Sequence, residues 1–300
     1  MVSERKVGGR PTAIPHRLCS SSPRASDDGE KGARYGVPFL ICYTTSMKLI
    51  SWNVNGIRAG FRKDTIKQVF EMEADIIALQ ETKCEISQLT KEELAYYGYT
   101  SIFESARNRK GYSGVAVYTK LPFTLLHATL DKKDFYDEEG RTLVLEFEKF
   151  YFINCYFPNG GKSDEHYLYK LDYYDHFLAL AKKLEKKKPV IFTGDINATN
   201  EDIDLARPKE NKNKLGCTKP ERDRLKNFTE NFIDTYRFVN GDKVQYTWWD
   251  MKTRSREKNV GWRIDYFYTS KNFSKNITSA FIHDDVYGSD HCPVSLTLKL

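Results

Sequence analysis

Gly288-Ser289-Asp290-His291-Cys292-Pro293 runs directly into Val294-Ser295-Leu296-Thr297-Leu298, whose apolar residues alternate as in a strand packed on a core. A carboxylate and an imidazole therefore stand at the mouth of a strand. Aspartate suits a hard cation and neutral histidine suits general-base work near pH 7, so the pair offers both parts of a metal-assisted hydrolysis. Four other stretches repeat the arrangement: Trp52-Asn53-Val54-Asn55-Gly56, Leu79-Gln80-Glu81-Thr82, Gly194-Asp195-Ile196-Asn197 and Arg263-Ile264-Asp265-Tyr266. Each sets polar groups at or beside the end of a strand-like run. Such recurrence along one chain points to one shared site.

Working outward, strands are predicted over residues 49–54, 76–80, 114–118, 143–147, 152–157, 190–193, 264–269 and 294–298, all short and rich in β-branched or aromatic residues. Asp64 is placed to cap a helix carrying Ile66, Val69, Phe70 and Met72. Thr90 with Glu93, and Thr218 with Glu221, have capping-box spacing. Ser163 opens a long helix with an apolar stripe of Leu171, Tyr174, Leu178, Ala181 and Leu184. It ends in Lys186-Lys187-Lys188, whose charge complements the helix dipole. Early strands alternate with helices and later ones resemble hairpins. The expected class is α/β, with mixed sheets, helices outside, and enough strands for two sheets face to face.

Three hundred residues allow one large domain, and residues 47–300 contain no repeat, linker or composition break. Residues 1–46 differ: they are rich in Ser, Arg, Gly and Pro and lack periodicity, and a strand begins abruptly at Met47. They read as a disordered leader or as the product of an upstream start codon. Glu4, Asp27, Asp28 and Glu30 count against an organelle transit peptide, and no early apolar core marks a secretory signal. No apolar run approaches the length of a membrane span, so no membrane partner is expected. Six scattered cysteines without C-x-x-C pairing read as buried thiols in a reducing compartment rather than as a disulfide or zinc framework. A net charge of +6 favours a polyanionic partner.

Each chemical residue has two readings on these grounds. Glu81 is a solvated strand end or a metal ligand. Asn53 and Asn55 form an Asx-turn before Gly56, or supply an oxygen to Mg²⁺ or an amide to a phosphate. Asp195 and Asn197 share one face of a strand end or make a turn. Asp265 lies among residues that should be buried and needs a partner. His291 would fill that need by a hydrogen bond that fixes its tautomer; otherwise Arg263 or Lys258 neutralises Asp265 and His291 is exposed.

Together these stretches closely resemble the exonuclease III family of apurinic/apyrimidinic endonucleases, within the endonuclease/exonuclease/phosphatase superfamily. The resemblance covers residues 47–300 and none of 1–46. It rests also on Gly111-Tyr112-Ser113-Gly114-Val115, Glu139-Gly140-Arg141, Tyr156-Phe157-Pro158-Asn159 and Asn259-Val260-Gly261-Trp262. It implies a four-layer α/β sandwich with the active site at one rim of the paired sheets. It also implies a DNA-repair nuclease using Mg²⁺, or Mn²⁺ in its place, to hydrolyse the phosphodiester 5′ to an abasic site in duplex DNA. Activity on blocked 3′ ends and 3′–5′ exonuclease activity follow from the same precedent.

The resemblance also assigns roles. Glu81 binds the metal with Asn55 and Asp290 near it, and Asn53 holds that shell or a phosphate oxygen. Asp195 orients or deprotonates water, Asn197 stabilises the developing charge, and both are also placed among the metal-binding residues. His291 paired with Asp265 acts on phosphate or water, with Tyr156 beside it. Arg58, Tyr112, Arg141, Asn159, Lys162 and Asn211 grip backbone phosphates. Trp248, Trp262 and Ile264 line a pocket for the flipped-out sugar, unless both tryptophans are ordinary core. Asn55 stands where some members carry aspartate, which removes one potential anionic ligand. A monomer is expected, cytoplasmic in a bacterium or nuclear in a eukaryote. The rival functions are another phosphodiesterase or phosphatase of the superfamily, and a non-catalytic DNA-binding protein. Gly261–Tyr266 with Trp248 upstream resembles the repair branch, and the catalytic side chains are all present.

Overall fold

The computed structural model describes residues 46–126 and 138–300. Apart from Ser46, which opens the first strand, the expected leader lies outside the described residues, as do Cys19 and Cys42. The strands are β1 (Ser46–Asn53), β2 (Ile76–Gln80), β3 (Thr100–Glu104), β4 (Val115–Thr119), β5 (Thr124–Leu126), β6 (Thr142–Glu146), β7 (Tyr151–Tyr156), β8 (Val190–Asp195), β9 (Phe232–Asp234), β10 (Asp265–Ser270), β11 (Ile277–Ile282) and β12 (Val294–Lys299). They form two six-stranded mixed sheets, ordered β11-β12-β1-β2-β4-β3 and β5-β6-β7-β8-β10-β9. β1 pairs parallel with β2 and β7 with β8; the other pairs are antiparallel.

The layering follows from which side chains each strand turns inward. Leu49, Ile76, Ala78, Val115, Val117 and Leu296 meet Leu143, Leu145, Phe152, Ile191 and Phe267 between the sheets. Their neighbours Ile50, Trp52, Ile77, Leu79 and Tyr118 face out onto Ile57, Ile66, Val69 and Phe70. On the other side Ile153, Phe192, Tyr266 and Tyr268 face Tyr173, Tyr174, Phe177, Leu225 and Phe228. Both faces of the central strands are thus covered, so runs such as Ile76-Ile77-Ala78-Leu79 are continuously apolar rather than alternating. Each fully buried side chain of this kind contributes about 1.5–3 kcal/mol. The result is the four-layer α/β sandwich.

The helices are α1 (Ile57–Arg62), α2 (Lys67–Phe70), α3 (Lys91–Leu94), α4 (Asp164–Glu185), α5 (Pro208–Asn211), α6 (Lys219–Asn231) and α7 (Thr235–Asn240). Ser163 caps α4, accepting from the His166 N–H, and both expected capping boxes form. The stripe of α4 is centred on Lys170, Tyr173, Tyr174, Phe177 and Ala181, slightly rotated from the predicted one. One expectation is corrected. Asp64 caps nothing: it sits at φ 56°, and Ile66 precedes a helix of four residues without a side-chain cap. The strands β3, β5, β9 and β11 are additions to those predicted from the sequence. All four are edge strands, where periodicity is weak. Cys84, Cys155, Cys217 and Cys292 are free and buried.

Candidate active site

Strand direction gathers the polar residues. The parallel pairs β1/β2 and β7/β8 end at one rim, where Asn53, Glu81, Tyr156 and Asp195 stand. The antiparallel strands β10 and β12 begin there, bringing Asp265 opposite Asp195 and His291 just ahead of Val294. The segment 247–249 stitches these ends together. Thr247 Oγ1 accepts from the Ile264 and Asp265 N–H groups at 3.0 and 3.1 Å, while its carbonyl takes the Cys292 N–H at 2.8 Å. A core-facing strand position therefore becomes a site position as soon as the strand leaves the core.

His291 is 3% exposed and Asp265 2%. The imidazole Nδ1 lies 2.8 Å from Asp265 Oδ2, and Nε2 lies 3.8 Å from Asp195 Oδ2. Arg263, the alternative partner of Asp265, is engaged by Asp204 at 2.8 Å and Asp234 at 2.7 Å. Burial alone would lower the His291 pKa, but Asp265 and Asp195 outweigh it and lift it to about 10. Burial lifts Asp195 to about 7 despite His291, with Asp265 and Glu81 adding repulsion. The imidazole is thus held as a cation between two carboxylates, one of which lies poised near neutrality.

Asn53 joins the two halves of the cluster. Its Nδ2 donates to Glu81 Oε1 at 2.9 Å and to Asp195 Oδ2 at 3.0 Å, while its Oδ1 accepts the Asn55 N–H at 3.1 Å. The Asx-turn is present, and the amide nitrogen rather than the oxygen faces the carboxylates. Asp195 likewise makes both expected arrangements: its Oδ1 accepts the Asn197 N–H at 2.8 Å, and Asn197 Nδ2 donates to Oδ2 at 3.2 Å. Ligand atoms of Glu81, Asp195 and His291 lie within 4.8 Å of one another.

Beyond Glu81 the site opens to a second carboxylate. Asn55 Nδ2 donates to Asp290 Oδ1 at 2.9 Å, and Trp248 Nε1 donates to Asp290 Oδ2 at 3.1 Å. Lys83 Nζ sits 2.5 Å from Asn55 Oδ1 and 2.7 Å from Glu81 Oε2, a tethered ammonium between two oxygens. Burial acts to raise Glu81, but Lys83 and Asn53 hold it below the ordinary range. Burial acts the same way on Asp290, where His291, Trp248 and Asn55 prevail. Asn55, Glu81, Lys83 and Asn197 all have φ between 46° and 57°. Asparagine tolerates this conformation, whereas for Glu81 and Lys83 it is strain of the kind that collects at functional sites.

Arg141 is 2% exposed rather than laid out on the surface. It donates to Glu139, to the Tyr156 carbonyl at 3.1 Å and to the Tyr112 hydroxyl at 3.1 Å, with its guanidinium 4.7 Å from the Tyr156 ring centroid. Burial pushes the Tyr156 phenol well above its usual range; Glu81, to which its hydroxyl bonds, adds to the shift and Arg141 opposes it. Of the other expected phosphate grips, Arg58, Asn159 and Lys162 are exposed and Tyr112 is half-buried. Asn211 spends its side chain inside its own loop, donating to the Ala206 and Arg207 carbonyls and accepting from Lys214.

A cavity of about 290 Å³ adjoins the carboxylates, and Trp248, Trp262 and Ile264 line it with Leu215 and Gly216. The two half-buried indoles meet edge to face, with centroids 6.1 Å apart. Lys83, Leu215 and Gly216 are site residues that the motifs do not single out. A cation two residues after Glu81 is a usable signal for the first. Nothing periodic marks the other two within the basic loop 207–214 and its continuation.

The model of the endonuclease/exonuclease/phosphatase family matches residues 50–291. An exodeoxyribonuclease of Bacillus subtilis is 40% identical over 258 residues, spanning 85% of this chain and 100% of that protein. A DNA-(apurinic or apyrimidinic site) endonuclease of Dictyostelium discoideum is 39% identical over 263 residues, spanning 85% and 71%. The solved structure of an AP endonuclease from Archaeoglobus fulgidus superposes with a TM-score of 0.75 at 25% identity, covering 85% of this chain and 100% of that one. With its sequence matched from β1 to His291 and its fold shared, this chain belongs to the endonuclease/exonuclease/phosphatase family.

Proposed function

We propose that the protein is a Mg²⁺-dependent repair nuclease that hydrolyses the phosphodiester 5′ to an abasic site in duplex DNA and trims blocked 3′ ends at the same site. The observation that carries this reading is the convergence of Glu81, Asp195 and His291 within 4.8 Å beside an aromatic-walled cavity. The donor set fits a hard cation: Glu81 and Asp290 carboxylates with the Asn55 carbonyl oxygen, and the Lys83 ammonium already drawn to two of these oxygens. Mn²⁺ would serve in the same oxygen-rich set. The bound ion would neutralise phosphate charge as the bond to the leaving oxygen breaks.

The chain's own residues supply the remainder. Asp195 accepts the proton of the attacking water as its oxygen bonds to phosphorus. The P–O3′ bond breaks with its electron pair on O3′, which takes a proton from solvent water, leaving a 3′-hydroxyl and a 5′-deoxyribose phosphate. The His291 cation, held by Asp265, and the Asn197 amide stabilise negative charge on the equatorial oxygens. Arg141 fixes Tyr156 against Glu81 from behind. Arg58, Asn159 and Lys162 hold the backbone without reading sequence. The cavity accepts a baseless sugar and excludes a nucleotide by size. The enzyme acts as a monomer, with residues 46–300 as its nuclease domain.

The test is incubation of the protein with a duplex carrying one abasic-site analogue, with Mg²⁺ and with EDTA. Single incision 5′ to the analogue only with the metal is expected. An uncut duplex, with release of phosphate from inositol phosphates or RNA instead, would move the chain to another branch of the family.

A further inference from the structure

Directly behind the site, Lys170 of α4 and Glu221 of α6 form an ion pair with both side chains 0% exposed and Nζ 2.5 Å from Oε1. Lys170 Nζ also donates to the Asn197 carbonyl at 2.8 Å. Glu221 accepts the Gly216 N–H at 2.9 Å, the Thr218 N–H at 3.0 Å and the Thr218 hydroxyl at 2.7 Å. The Gly216 carbonyl in turn accepts the Thr199 N–H at 2.8 Å. Gly216 has φ 90°, and a Cβ there would stand 2.8 Å from Trp262 Cζ3. One end of the pair is therefore bonded to Asn197, and the other to the segment that lines the cavity against the Trp262 ring.

A buried ion pair is weak support for stability, because desolvation of both charges offsets most of their attraction. As a helix cap alone, Glu221 would need only Thr218. The bonds to Asn197 and Gly216 reach instead into the site. We propose that Lys170 and Glu221 are positioning residues, which hold the left-handed Asn197 and the Leu215–Gly216 wall at the distance from Trp262 that the reacting sugar-phosphate requires. The proposal rests on the nuclease reading and adds two residues that touch neither metal nor DNA.

Lys170→Met leaves a lone buried carboxylate and is expected to melt early. The informative variants are therefore Lys170→Met/Glu221→Gln, which removes both charges, and Lys170→Arg, which keeps them. In the full chain, kcat and KM are measured on the abasic-analogue duplex with Mg²⁺. The fluorine spectrum of 5-fluorotryptophan-labelled protein is recorded in parallel, its Trp262 line assigned by Trp262→Phe. A misplacement of about 1 Å can cost on the order of a hundredfold, so the double variant should lose about ten- to a hundredfold in kcat with KM within about threefold. Its Trp262 line should shift, and Lys170→Arg should recover most of the rate and the original line. A double variant with a lower melting temperature but unchanged kcat and Trp262 line would reduce the pair to a stability element and overturn the proposal. If the wild-type protein incises no DNA, the nuclease reading fails, while the Trp262 line of the double variant still decides whether the pair positions the wall.

Discussion

Replacing Asp265 by asparagine tests the charge arrangement most directly. The carboxylate 2.8 Å from His291 Nδ1 is the largest influence raising the imidazole pKa against burial, from an ordinary 6.5 to about 10. In the wild type, incision should rise with pH as Asp195, lifted to about 7, loses its proton, and should fall only as His291 loses its own near 10. A bound cation draws the rising limb lower. In Asp265→Asn the His291 pKa moves back toward the ordinary value. At 6.5 the cation would be about one in thirty molecules at pH 8 and about one in three hundred at pH 9. The part of the deficit that comes from lost charge should therefore be modest near pH 6 and deepen about tenfold per pH unit above pH 7. A loss of orientation adds a pH-independent factor within the roughly 10²–10⁴-fold range of general acid–base effects. Asp265 Oδ1 accepts no bond among the described residues, so an amide nitrogen placed there costs about 1–3 kcal/mol. The assay is single-turnover incision from pH 6 to 10, with nitrogen-15 shifts of the His291 ring and a thermal melt. A deficit that is constant across pH, or an unmoved ring titration, would refute the charge argument.

Glu81→Gln should raise the Mg²⁺ concentration needed for incision and lower the maximal rate; full activity in trace metal would remove Glu81 from the metal shell. Asp195→Asn should slow incision by roughly 10²–10⁴-fold while binding of abasic duplex in Ca²⁺ survives, which a binding isotherm beside the rate will check. Trp262→Ala should let intact duplex gain relative to abasic duplex at little cost in melting temperature. A core role would instead cost about 3–5 kcal/mol and affect both substrates alike. Deletion of residues 1–45 should leave melting temperature and incision unchanged, because β1 begins at Ser46; a large fall in either would show that the leader packs on the sandwich.

Much of the site is legible in the amino-acid sequence, because its residues follow strands whose apolar runs announce them. Glu81 ends the run of β2, Asp195 ends that of β8, and His291 precedes that of β12; these are local signals. The sandwich is legible for a related reason: central strands covered on both faces leave continuous apolar runs. The edge strands β3 and β11 are not, because many of their residues are partly or fully exposed. Asp64 reads falsely as a cap because a short polar side chain serves a left-handed turn as well as a helix start.

Sequence alone determined which residue types stand at strand ends, since period and capping are properties of neighbours along the chain. Only the tertiary structure decided which of them meet. The choice of His291 rather than Arg263 or Lys258 as the partner of Asp265 depends on β10 lying beside β8, with Arg263 drawn away by Asp204 and Asp234. The same holds for Arg141, which the resemblance makes a phosphate grip and which lies buried behind Tyr156, and for Lys170, which no motif marks and which reaches Asn197 through the core. Each depends on contacts between residues far apart in the chain, and a side chain's burial and electrostatic partners are set by those contacts, not by its neighbours in sequence.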